Sequence, residues 1–205
     1  MESSREMYRV IEDNVKMKPL GDPFKNSALL VLDAQRYFLD EESHAFIPSA
    51  AGVLPGLRLL ISKFIEMKQP VIFTRHINTD EDAGQMRIWW KDLIREENPI
   101  SEISKDIFMD GSPVIRKNQY DAFYKTGLDA ILREKKIKQV IITGFMTHLC
   151  CETTARSAFV HGYKVIFPVD GTATYNREFH LATLRNLAHG FAVITTIIDI
   201  LEAGE

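Results

Sequence analysis

The stretch Gln139-Val140-Ile141-Ile142-Thr143-Gly144-Phe145-Met146-Thr147-His148-Leu149-Cys150-Cys151, followed by Glu152-Thr153-Thr154-Ala155-Arg156-Ser157-Ala158-Phe159-Val160, changes character at its middle. The apolar run up to Thr143 reads as a fully buried strand, and the segment after the cysteines reads as a helix. Cys150 therefore stands where a strand gives way to a helix. In that setting backbone N–H groups and the positive end of a helix dipole face the sulfur, which favours a thiolate. An ionised Cys150 would make a covalent hydrolase that works through a thioester. An un-ionised one would be an ordinary buried thiol.

The same alternation extends outward in both directions. Apolar runs at 28–33, 70–75, 112–116, 164–169 and 191–197 read as further strands. Between them 54–67, 126–135 and 177–189 carry helical spacing. Strands and helices alternating at these lengths predict a three-layer α/β/α fold around a parallel sheet, with ligands bound beyond the carboxyl ends of the strands. Residues 1–26 lack the rhythm and read as an N-terminal arm with a short helix near residues 4–15. Residues 27–205 read as one domain. The longest connection, 77–111, is rich in charge, Lys91 included, and holds Met86-Arg87-Ile88-Trp89-Trp90. A connection of that length is expected to be a lid, a binding loop or an interface.

The 205 residues are 45% hydrophobic and 26% charged, ordinary for a globular protein. A formal net charge of -3 gives no electrostatic footprint for nucleic acid. No apolar stretch reaches the ~20 residues that span a bilayer. The start of the chain lacks the layout of a signal peptide. Two adjacent cysteines form no disulfide framework, so a reduced, cytoplasmic setting is expected.

Three reactive groups fall at strand ends: Asp33, Lys117 and Cys150. The carboxyl ends of parallel strands share one sheet edge, so the three can converge. A carboxylate can take a thiol's proton and later protonate a departing amine. An ammonium stabilises both anions. Backbone N–H groups in the turn before Cys150 can receive an oxyanion. Taken singly, each residue also has an ordinary reading, as a turn former, a surface lysine or a buried thiol.

The segments Leu30 to Phe38, Ile115 to Phe123, Gly144 to Arg156 and Val169 to Ala173 resemble the isochorismatase-like, or cysteine, hydrolases from about Ser27 to the C-terminus. The resemblance implies a six-stranded parallel sheet of order 3-2-1-4-5-6 and a catalytic triad of Asp33, Lys117 and Cys150. It also implies a non-proline cis peptide bond before the cysteine, expected at Met146–Thr147, with the amides of Thr147 and Cys150 as oxyanion donors. Cys151 reads as packing. Isochorismatases of the family carry glycine at the position of Cys150 and cleave a vinyl ether. The cysteine here therefore implies hydrolysis of a C–N bond in a small amide, ureide or carbamoyl compound. Two alternatives stay open: vinyl-ether hydrolysis through Asp33 and Lys117, which His148 favours, and a non-enzymatic vicinal-thiol sensor.

The nicotinamidase branch of the family holds a divalent metal on an aspartate and histidines. Here His76 stands without those companions, so no metal or other cofactor is expected, nor nicotinamide as substrate. Gln35, Phe38, Trp90, Tyr120 and Phe123 are expected to contact a small-molecule substrate. The aromatic ones read equally as core residues, and Trp90 as part of an interface. The family's habits imply a homo-oligomer, a dimer or tetramer.

Overall fold

The computed structural model describes residues 4–90 and 92–203. The first three residues of the expected arm and Lys91 lie outside the described residues. Seven strands, β1 (Ser27–Leu32), β2 (Val71–His76), β3 (Val114–Lys117), β4 (Gln139–Phe145), β5 (Lys164–Pro168), β6 (Thr172–Ala173) and β7 (Ala192–Thr195), make one sheet. Its order is β3-β2-β1-β4-β5-β7, with β6 paired to β4 off this path, and every pairing is parallel. The expected order 3-2-1-4-5-6 is thus met with β7 as the sixth strand. The two-residue β6 is an addition to it.

Successive side chains of a strand point to opposite faces, so a strand buried on both faces is apolar throughout. On β1, Leu29 and Val31 enter one core while Ala28, Leu30 and Leu32 enter the other. The helices divide accordingly. α2 (Ala50–Glu66) and α7 (Ile197–Glu202) cover the first face. α4 (Leu128–Glu134), α5 (Glu152–Val160) and α6 (Arg177–Gly190) cover the second. α1 (Ser4–Glu12), the helix of the arm, packs on α6 through buried Ile11, and Arg5 reaches Asp199 of α7 at 2.7 Å.

The sheet reverses direction between β1 and β4: β2 and β3 are added on one side, β5 and β7 on the other. Ligand sites of open α/β sheets form at such a reversal. The two strands meet closely there. Gly144, opposite Leu32, has φ +107°, and a Cβ on it would lie 2.0 Å from the Leu32 carbonyl oxygen. Only glycine fits that position. The 77–111 connection contains a short helix, α3 (Met86–Trp89), and folds back over the same end, where Ile103 bridges Gln35.

Candidate active site

Asp33 follows β1 directly and takes φ +49°, a conformation that aspartate tolerates better than most residues. Its N–H donates to Thr74 Oγ1 at 3.0 Å, and that hydroxyl donates back to Asp33 Oδ1 at 2.6 Å. Thr74 and His76 lie two apart on β2, hence on one face, and His76 is in register with Lys117 of β3. β2 thereby links the aspartate on one side to the lysine on the other. The Lys117 ammonium lies 2.8 Å from Asp33 Oδ2, 2.8 Å from the Gln119 carbonyl, 3.1 Å from His76 Nδ1 and 3.3 Å from Cys150 Sγ. Three N–H groups thus face four acceptors, and the sulfur is the most distant of them. The side chains of Asp33 and Lys117 are both wholly buried.

Cys150 belongs to a π-helical turn, Thr147–Cys151, that precedes α5. The Met146 carbonyl accepts from both the Leu149 and the Cys151 N–H at 3.2 Å, which makes the turn wider than an α-turn. The cis peptide bond is Phe145–Met146, one residue earlier than the expected Met146–Thr147. β4 stays paired with β6 through Phe145, so the chain leaves the sheet at that bond. Behind the turn, Thr147 Oγ1 lies 3.0 Å from His180 Nδ1 and 3.0 Å from Thr172 Oγ1, while His180 Nε2 donates to the Val169 carbonyl at 2.9 Å. The sequence leaves His180 as a surface or packing residue of a helix rather than a catalytic one, and of these it is a buried packing residue that supports this turn.

Burial works against ionising Asp33, but Lys117, His76 and the Thr74 hydroxyl outweigh it and hold the carboxyl below its ordinary range. Burial likewise works against the charged Lys117, and Asp33 with Cys150 outweighs it, so the ammonium is held firmly. Burial pushes the Cys150 thiol up to about 12, against the pull of Lys117. Burial thus favours the neutral thiol, one of the two states that the sequence leaves open. Cys150 is only 6% exposed, and desolvation is the largest influence on its thiol. Cys151 is fully buried in the second core, with Sγ 3.9 Å from the Thr143 carbonyl, and burial raises its thiol as well. The two sulfurs have different surroundings, as expected if only Cys150 faces the site.

His76 is pushed down to about 4, first by burial and then by Lys117. It is neutral at pH 7, accepting from Lys117 at Nδ1 and donating from Nε2 to Asn78 Oδ1 at 2.8 Å. This depression makes a stability prediction. The unfolded imidazole takes its proton near 6.5 and the folded one only at about 4, so between these values the unfolded chain binds more protons. Stability from this group is complete above pH 6.5 and falls on acidification toward pH 4, by up to about 3 kcal/mol. Urea unfolding at pH 7, 5.5 and 4.5 should show a shallower loss in His76→Gln than in the native chain. Equal losses would remove His76 as the cause.

Asp33, His76 and Cys150 bring their possible ligand atoms within 4.8 Å of one another, the kind of grouping that can hold a divalent ion. The Lys117 ammonium lies among all three, at the distances given above. A cation there would meet a buried positive charge in the volume it needs, so these residues do not fit a metal.

Cys150 lines a cavity of about 560 Å³, its open mouth included, bounded by Phe38, Trp90, Tyr120, Leu149 and Tyr175 among others. Trp90 Nε1 donates to the Tyr120 hydroxyl at 2.6 Å, closing one wall. Of the residues expected to contact substrate, Phe38, Trp90 and Tyr120 line this cavity. Gln35 and Phe123 do not line the cavity. The Gln35 amide is spent on the backbone: its Nε2 donates to the carbonyls of His76 and Ser101, and its Oε1 accepts from the His76 N–H. Phe123 stacks on His161 and Tyr163 in the second core. Sequence reasoning missed Tyr37, His44, Asn78, Asp92 and Tyr175 on the cavity wall. Tyr37 lies on a single 3₁₀ turn and the others in irregular connections, none of which carries a periodic signal.

Among known proteins, the chain is 40% identical over 175 residues to nicotinamidase 3 of Arabidopsis thaliana, covering 83% of this chain and 84% of that protein. It is 31% identical to the isochorismatase of Bacillus subtilis (strain 168), covering 91% of this chain and 60% of the longer relative. The crystal structure of a cysteine hydrolase from Pseudomonas syringae pv. phaseolicola 1448A shares the fold with a TM-score of 0.86 at 24% identity, over 91% of this chain and 95% of that one. The family model for the isochorismatase domain matches residues 27–199, a span that takes in every strand of the sheet together with Asp33, Lys117 and Cys150. By that match the chain belongs to the isochorismatase family of hydrolases.

Proposed function

We propose that the protein is a cysteine-dependent amidohydrolase that cleaves the C–N bond of a small amide, ureide or carbamoyl compound through a thioester. The observation that carries the reading is a buried thiol 3.3 Å from an ammonium, with a carboxylate held by the same ammonium, at the wall of a cavity. Asp33 accepts the Cys150 proton as the sulfur attacks the carbonyl carbon. This transfer moves a negative charge from carboxylate to sulfur while Lys117 stays beside both, so the net charge of the buried group is unchanged. That answers the desolvation that favours the neutral thiol. The N–H groups of Thr147 and Cys150 are the assigned donors to the tetrahedral oxyanion. Asp33 then gives its proton to the leaving nitrogen as the C–N bond breaks, releasing ammonia or an amine. Water loses a proton to Asp33 and attacks the thioester, and that proton returns to the departing thiolate.

The aromatic walls suit a small, flat substrate, and a relative named for an amide substrate supports C–N cleavage. The expectation against nicotinamide rested on missing metal ligands. Since 40% identity to a nicotinamidase counts on the other side, nicotinamide belongs in the test. A panel of nicotinamide, other aromatic and aliphatic amides, ureides and isochorismate should yield ammonia or amine from at least one C–N substrate. Pyruvate from isochorismate, with no release from any C–N substrate, would establish the vinyl-ether reaction instead.

A further inference from the structure

The cavity has polar groups at two ends. The inner end holds Cys150 and His76, both buried. The outer end holds Tyr37, His44 and Asp92, where the side chains of His44 and Asp92 are 49% and 67% exposed. These three come from separate places in the chain: the turn after Asp33, the loop before α2 and the 77–111 connection. They nevertheless meet, with Tyr37 Oη 3.2 Å from Asp92 Oδ2 and 3.1 Å from His44 Nδ1, and His44 Nδ1 3.3 Å from Asp92 Oδ2.

Hydrogen-bond accounting fixes what this end offers a ligand. A carboxylate only accepts, so the Tyr37 O–H donates to Asp92. Burial and then Asp92 raise the Tyr37 phenol above its ordinary value, which keeps that proton in place. His44 Nδ1 therefore faces two oxygens, the Tyr37 hydroxyl and the carboxylate, and supplies the N–H between them. The cluster carries the carboxylate of Asp92, whose side chain is 67% exposed at the outer end of the cavity. Pockets of this kind, mostly apolar with a few placed polar groups, use those groups to orient and select.

We propose that Asp92, Tyr37 and His44 form an outer subsite that selects ligands bearing a positively charged, N–H-donating group at the end away from the reacting bond; as a statement about substrates it rests on the amidase reading above. Trp90 and Tyr120 line the same cavity, and aromatic rings attract cations to their faces.

The test separates binding from chemistry. The Cys150→Ala protein is titrated by NMR with 4-(aminomethyl)benzamide and with 4-ethylbenzamide, which match in shape and differ in charge. The ammonium compound is expected to bind about fivefold more tightly at low salt, the scale of a partly exposed ion pair with aromatic support. The preference should shrink as salt is added and fall to about one when Asp92→Asn is combined with Cys150→Ala. Equal binding, a preference for the ethyl compound, no binding of either, or a preference that survives Asp92→Asn overturns the subsite. Ammonia release by the native protein is scored separately on the amide panel. Failure there counts against the amidase reading and not against the binding preference.

Discussion

Replacing Cys150 with alanine is expected to lower kcat for the C–N substrate by at least about a thousandfold, the loss typical when one member of a catalytic unit is removed. The same change at Cys151 should leave turnover of native order. The contrast follows from surroundings. Cys150 Sγ lies 3.3 Å from the Lys117 ammonium on the cavity wall, whereas Cys151 Sγ lies 3.9 Å from a backbone carbonyl inside the second core. Stability should sort in the opposite way. Alanine at 150 removes only the longest of four Lys117 contacts and a thiol that burial already disfavours ionising. Alanine at 151 leaves a small cavity in a close-packed core, worth about 1 kcal/mol. The measurements are ammonia release, urea unfolding and mass spectrometry of the native protein and both variants mixed with slow substrate. An acyl adduct should form in the native protein and in Cys151→Ala and be absent from Cys150→Ala. A dead Cys151→Ala with an active Cys150→Ala would reverse the assignment. Full activity in Cys150→Ser would favour vinyl-ether chemistry, because a buried hydroxyl gives up its proton far less readily than a thiol.

The architecture is legible in the sequence because strands buried on both faces must be apolar throughout. Leu29 to Leu32 and Val140 to Ile142 are such runs, and the helices between them show their own period. β6 is not legible. Two residues carry no period, and their pairing with β4 depends on where the chain passes after β5. The three reactive groups are legible as polar residues placed where apolar runs stop. The link between them is not, since the His76–Lys117 register is a fact of strand pairing. Proximity in the chain also misleads. Gln35 lies two residues from Asp33, yet its amide is consumed by the backbone of β2 and of the long connection. In the outer cluster Tyr37 and Asp92 stand 55 positions apart with α2 and β2 between them, and only the folded connections bring the cluster together. The ionisation of the thiol is not legible either: position at a helix start argues for a thiolate, while the depth of burial, which sequence does not give, works against it.

Asp33→Asn and Lys117→Met should each destabilise the fold by about 3–5 kcal/mol, and the two together by clearly less than the sum. Each single change leaves one buried charge without its counter-ion. Asp33→Asn removes the carboxylate 2.8 Å from an ammonium whose remaining partners are a carbonyl, an imidazole and a sulfur. Lys117→Met leaves a wholly buried carboxylate supported by the Thr74 hydroxyl. Asparagine keeps the positive φ of position 33 accessible, and methionine keeps much of the lysine stem, so backbone strain and lost packing contribute little to the cycle. The double variant holds no unpaired charge and should recover much of the loss. Activity should not recover with it. All three variants lack either the base or the cation that accompanies its proton transfer, and each is expected to fall by at least about a thousandfold in kcat. Urea unfolding at pH 7 with ammonia release on the same preparations makes the comparison. Strictly additive costs would show that the two charges are not coupled. A double variant as active as the native protein would mean that the ion pair holds the fold and takes no part in the chemistry.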